Sequence, residues 1–226
     1  GGYAGLAAAV IFMAAVRGKR WLVGAGLAAV PGALGLALFA GIERLQSHID
    51  LEFGTTFFRL NLWQSSLNMV RDPPILGIGL DNFLYRYREQ YILPGGGYEP
   101  DLSHPHNWVL DFWLSLGLGG LVVAVLLLGV FFWVGLRLYW RQSDSQERAL
   151  TLGVLGSMAA FLAHGTVDNS FFLVDLAVTF WLAVAVVHLL DRLPVDKEAK
   201  ILANNGDGRG RLHRLPPLRS PFARRT

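Results

Sequence analysis

The chain has 226 residues, 53% of them hydrophobic and 16% charged, with no cysteine and a net charge of +3. A soluble domain usually carries about a quarter charged residues; the deficit here falls in five long apolar blocks, which reads as an integral membrane protein and excludes a soluble core. The lack of cysteine excludes disulfide staples, thiol catalysis and thiolate metal sites.

The first block is Gly1–Val16. It has neither an initiating Met nor a basic n-region, so it does not read as a signal peptide. It reads as the opening of the C-terminal part of a larger polytopic protein, with this span incomplete. Arg17, Lys19 and Arg20 separate it from the second block, Trp21–Ile42. Residues 43–106 then form a connection of about sixty residues, a length at which membrane loops are usually functional. Within it, Thr55 or Thr56 is placed to N-cap a helix through Val70, with Leu60, Trp63, Leu67 and Val70 along one stripe. Asp72-Pro73-Pro74 ends that helix, Gly77-Ile78-Gly79 makes a tight turn, and Asp81 caps a second helix to about Ile92 that carries Arg86, Arg88 and Glu89. Both helices are expected to lie on the membrane surface. Pro94-Gly95-Gly96-Gly97 reads as a hinge.

The remaining blocks are Trp108–Trp140, Leu150–Ala163 and Phe171–Leu190. The fourth is shorter than the roughly 20 residues a span needs and must borrow residues at its ends. Arg137, Arg141 and Arg148 bracket the loop between the third and fourth. After Leu190 the tail is rich in Arg, Pro and Gly and is expected to be disordered or adsorbed on anionic lipid. Alternating the blocks through a bilayer puts every basic cluster on one side, which the positive-inside rule makes cytoplasmic. The expected fold is therefore an all-α polytopic membrane bundle of about five spans. Its divisions are two spans over residues 1–42, an extracytoplasmic loop over 43–106, three spans over 107–191 and a cytoplasmic tail over 192–226.

The chemistry concentrates at Ser103-His104-Pro105-His106-Asn107, at the mouth of the third block. Pro105 suits the first turn of a helix, which would place His106 and Asn107 at its N-terminus. The partial positive charge there favours anions and disfavours imidazolium, so His106 should be a neutral base beside an anion site. Against this stands the plainer reading that His104 and His106 sit amphipathically in the headgroup layer. Arg59 offers a planar fork for a pyrophosphate, or else snorkels to lipid headgroups. Arg86 and Arg88 carry the same two readings, with the solvated one stronger. His164 and Asp168 fall in the other outer loop, where they can face His106 or simply cap helices; Asp175 lies seven residues further, on the same face if the last helix starts early. Gly117-Leu118-Gly119-Gly120, expected near the bilayer middle, permits close packing or a kink.

Taken together, Arg59–Trp63, the run Arg71-Asp72-Pro73-Pro74-Ile75-Leu76-Gly77-Ile78-Gly79-Leu80-Asp81-Asn82-Phe83, and His104-Pro105-His106-Asn107 resemble the O-antigen ligase family of bacterial membrane proteins. That family's signature is His-Asn, nine residues, then Gly-x-x-Gly; here His106-Asn107 precedes Gly117-Leu118-Gly119-Gly120, with Leu121 where a small residue or Tyr often follows. The resemblance covers Arg59 to Gly120. It implies glycosyl transfer at the outer face of the cytoplasmic membrane, independent of metal or other cofactor. The donor would be a glycan on undecaprenyl pyrophosphate and the acceptor a hydroxyl of a lipid-linked sugar, glycan or protein. On this reading His106 is the base, Arg59 the pyrophosphate clamp, and His104, Asn107, Arg86 and Asp168 bind substrate; no nucleic acid is involved.

Two rival readings use the same residues. One is a metalloenzyme ligated by His104, His106 and either Asp111 or His164. The other is a transporter or lipid-binding protein without a reaction, in which Asp175 and the glycine kink line a path.

Overall fold

A computed structural model describes residues 1–40, 54–97, 99–168 and 171–192. The start of the long connection, Asn169 and the tail beyond Arg192 lie outside the described residues. Every regular element among those described is helical. They are α1 (Gly2–Arg17), α2 (Lys19–Ala40), α3 (Thr55–Arg71), α4 (Phe83–Arg86), α5 (Trp108–Arg141), α6 (Ser145–Gly165) and α7 (Val174–Arg192). The chain of α4 runs on into a π-helical turn, Tyr87–Tyr91, and a 3₁₀ turn follows at Pro94–Gly96.

The helices α5 and α7 are long and apolar enough to cross a membrane, and α1 is a shorter apolar helix. In the fourth block Asp144 accepts the Gln146 and Glu147 N–H groups and starts α6 a turn ahead of the apolar run. Small residues let the helices approach closely. A side chain at Gly5 would press on the Ala160 carbonyl at 2.9 Å, and one at Gly156 would meet Met13 Sδ at 2.8 Å, so α1 and α6 run antiparallel. Leu128 and Phe131 of α5, Leu155 and Met158 of α6, and Phe180 and Val187 of α7 form the apolar core of this bundle.

The two ends of the bundle differ in chemistry. At one end Arg141 pairs with Asp191 at 3.6 Å, and Arg148 lies over the Tyr139 ring at 4.7 Å. At the other end the start of α5 meets the end of α6, where Asn107 Nδ2 donates to the Thr166 carbonyl at 3.0 Å.

A second core holds α3 against this second end. Leu62, Met69 and Val70 of α3 pack with Phe83, Tyr87 and Leu114. Here the structure departs from several expectations. Gly54, not Thr55 or Thr56, occupies the N-cap of α3 and gives no side-chain bond. Asp81 adopts φ 58 and does not cap α4, whose N-cap is Asn82. The Pro94–Gly96 turn is packed rather than free, since a side chain at Gly95 would meet the Phe57 ring and the Asn61 amide. Asp168 and Asp175 do not share a helix, because α7 begins only at Val174.

The glycine motif proves to be a break in α5. Gly117 has φ 72 and ψ −174, a conformation that glycine adopts without steric cost. In an unbroken helix the Leu118 N–H would donate to the Leu114 carbonyl. Instead the Pro73–Ile78 loop enters the gap. The Leu118 N–H donates to Ile75 O at 3.0 Å, and Leu114 O accepts from the Ile78 N–H at 2.6 Å. Trp113 Nε1 adds a bond to Pro74 O at 2.7 Å. Side chains at Gly77 or Gly117 would collide with Leu114 O or Ile75 O respectively. The two glycine motifs, forty residues apart in sequence, are thus one joint. The joint need not lie at mid-bilayer, because Leu118–Trp140 alone covers roughly 35 Å, already more than a hydrocarbon core of about 30 Å.

Candidate active site

The site forms where the loop before α5 meets the end of α6. Asn107, not Pro105, begins α5: its Oδ1 accepts the Val109 and Leu110 N–H groups at 3.0 and 3.2 Å. Pro105 therefore precedes the helix, and His106 sits one residue outside the cap rather than in the first turn. His106 adopts φ 49, a left-handed conformation uncommon for a residue with a side chain. That backbone setting turns the imidazole back toward the end of α6.

There His106 Nδ1 lies 3.1 Å from Asp168 Oδ1, across 62 residues of sequence. A carboxylate at Nδ1 accepts that nitrogen's proton and leaves Nε2 as the basic nitrogen. His164, one turn back on α6, places Nε2 3.6 Å from Asp168 Oδ2. The His104 ring lies 4.3 Å from that of His106, and Ser103 Oγ is 3.0 Å from His104 Nδ1. Burial, reinforced by the neighbouring His106, holds His104 down to about 4, against a smaller upward pull from Asp168. His104 is therefore uncharged at neutral pH. His104, His106 and Asp168 each offer a donor atom, all within 4.8 Å of one another. Asp111 is not among them; its carboxylate, buried in α5, accepts from Ser115 Oγ at 3.3 Å.

On its other side His106 opens onto a cavity of about 200 Å³, which it lines with Arg59, Thr55, Phe58, Leu62, Glu99 and Leu102. Arg59 reaches it from the first turns of α3, which the second core fixes against α5. Among the described residues no carboxylate lies within ion-pair distance of Arg59. The structure thus brings together Arg59, His104, His106 and Asp168. It engages Asn107 in the fold, with one amide N–H taken by the Thr166 carbonyl. Arg86 is elsewhere: it lines a separate cavity of about 400 Å³ with Asp72, Gln90 and Tyr91, whose hydroxyl donates to Asp72. Arg88 pairs with Asp101 at 2.9 Å at the surface. Glu99 had no signal in the sequence, since its neighbours form no motif; only the folding of the loop over α3 carries it to the cavity.

The O-antigen ligase family model matches residues 1–125. The chain belongs to that family. The match takes in Arg59, the Pro73–Gly79 loop, His106-Asn107 and the Gly117 break, whereas His164 and Asp168 lie beyond it. The chain is also 28% identical over 160 residues to the teichuronic acid biosynthesis protein TuaE of Bacillus subtilis; the alignment covers 69% of this chain and 31% of that protein. The chain therefore spans about a third of the relative's length. As an O-antigen ligase family member it is a bacterial membrane protein.

Proposed function

We propose that this chain carries the catalytic centre of a glycosyltransferase that moves a glycan from undecaprenyl pyrophosphate to an acceptor hydroxyl on a lipid-linked sugar, a glycan or a protein. The observation that carries the reading is that His106 and Arg59 line one cavity while His106 Nδ1 meets Asp168. Asp168, bonded to Nδ1, orients the ring, and Nε2 accepts the acceptor's proton as its oxygen attacks the anomeric carbon. The bond from that carbon to the pyrophosphate oxygen breaks, and Arg59 neutralises the leaving diphosphate. Stabilising charge that develops in the transition state is usually the largest catalytic contribution. A single displacement inverts the anomeric centre, and no step calls for a metal. The basic end of the bundle faces the cytoplasm under the positive-inside rule, so the site works on the outer face of the inner membrane of a multi-pass protein.

The test uses the full-length protein in proteoliposomes with an undecaprenyl-pyrophosphate-linked glycan and an acceptor. Wild type should form a new glycosidic product. His106→Ala should lose about 10² to 10⁴ in rate, the usual worth of a general base, and Arg59→Ala should also be strongly impaired. Wild-type rates in His106→Ala would remove the base, and a protein that makes no glycosidic product at all would sink the reading.

A further inference from the structure

The polar cluster at the end of α6 holds more donors than a base and its orienting carboxylate require. His104, His106 and Asp168 converge to within 4.8 Å of one another. His164 adds a third imidazole, with Nε2 3.6 Å from Asp168 Oδ2 and Nδ1 buried without a hydrogen-bond partner among the described residues. Three imidazoles and one carboxylate are the donor set of a borderline-soft divalent ion. Mg²⁺ and Ca²⁺ prefer all-oxygen shells. Zinc takes four such donors tetrahedrally at about 2.0–2.2 Å, which sets donors roughly 3.3 Å apart. The His106–Asp168 pair is already at 3.1 Å. The donors of His104, His106 and Asp168, now up to 4.8 Å apart, must draw in by about 1.5 Å and His164 must swing toward them, by rotations about side-chain bonds that are open because none of these residues is fully buried.

We propose that His104, His106, His164 and Asp168 bind a zinc-class divalent cation, and that this ion inhibits the enzyme. The inhibitory half rests on the glycosyl-transfer reading above; the binding half does not. The chemistry of inhibition follows from the tautomer. With Asp168 at Nδ1–H, the lone pair of His106 is on Nε2. An ion on Nδ1 takes that proton's place, and the proton moves through water to Nε2, so the ring stays neutral with its one N–H at Nε2. No lone pair remains for an acceptor hydroxyl. The ion also occupies the carboxylate that orients the ring.

Metal-stripped full-length protein in nanodiscs is titrated with Zn²⁺ by calorimetry and with Co²⁺ by visible absorption. The site predicts one ion per chain, a Co²⁺ spectrum of tetrahedral type, no competition by Mg²⁺, and binding weakened roughly tenfold or more in His164→Ala and in Asp168→Asn. In the transfer assay Zn²⁺ should inhibit wild type and a chelator should restore it. Absence of stoichiometric binding, or equal binding by both variants, overturns the site. Zinc that binds without effect on transfer, or that activates it, overturns the inhibition. If the ion binds as described but metal-free protein transfers nothing, the site stands and the glycosyl-transfer reading falls.

Discussion

Asn107 and Thr166 are joined by an amide-to-carbonyl bond of 3.0 Å that ties the first turn of α5 to the last turn of α6. The same side chain caps α5 through its oxygen. His106 immediately precedes this clip on one side and Asp168 follows two residues after it on the other. The 3.1 Å contact between them is therefore set by the neighbouring residue and not only by their own attraction.

Asn107→Ala should consequently lose both functions. Removing a good N-cap costs about 0.5–2 kcal/mol, and the Thr166 bond goes with it. Asn107→Asp keeps the cap acceptor but cannot donate to Thr166 O. Thermal unfolding in detergent should rank Asn107→Ala below Asn107→Asp. Transfer should fall in both, because both release α5 from α6. If Asn107→Asp is fully active, the clip is not what positions the dyad.

Asp168→Asn should leave the protein folded, because Asp168 lies in the loop after α6 and is about 39% exposed. As an orienting group its loss should lower kcat by about 10²-fold, the lower end for acid–base assistance, with KM little changed. An amide offering N–H toward Nδ1 favours the wrong tautomer, so the pH–rate profile should also move. A change confined to KM would instead mark Asp168 as a substrate ligand.

Gly117→Ala should be strongly destabilising. The backbone sits at φ 72 and the new methyl would collide with the Ile75 carbonyl. Strain of this kind costs on the order of 1–3 kcal/mol, to which the steric clash adds. Gly77→Ala attacks the same joint from the other side. The double variant should be less destabilised than the sum of the two, since both break one contact. Additive losses would show that the two glycines act independently.

Acid should weaken the fold through His104. Its folded-state value is held down to about 4 from an ordinary 6.5, by burial and by the adjacent His106. Between those pH values the unfolded chain takes up a proton that the folded chain refuses. Stability is therefore intact above about 6.5 and declines as pH falls toward 4. His104→Gln, assayed by unfolding at pH 7 and pH 5 with chelator present, should flatten that decline. The comparison is of the two slopes. Equal slopes would show that His104 is not the group responsible.

The Arg59–Gly120 motifs were enough to place the chain in its family, because spaced residue types survive translation into any local structure. Apolar length likewise announced α5 and α7, since a bilayer demands about 20 apolar residues whatever surrounds them. What the spacing hid was pairing across the fold. Gly77 and Gly117 read as a turn and a packing motif, yet they are the two halves of one joint, because the helix's vacated N–H and carbonyl take new partners only when the loop is docked. Arg86 read like Arg59 in the sequence and lies in another cavity, because α3 carries one to His106 and α4 carries the other away. His106 and Asp168 were each visible as chemistry-bearing residues on one side of the membrane. Only the meeting of α5 with α6 decided that they touch, since a hydrogen bond needs ångström proximity and sequence distance carries no such information.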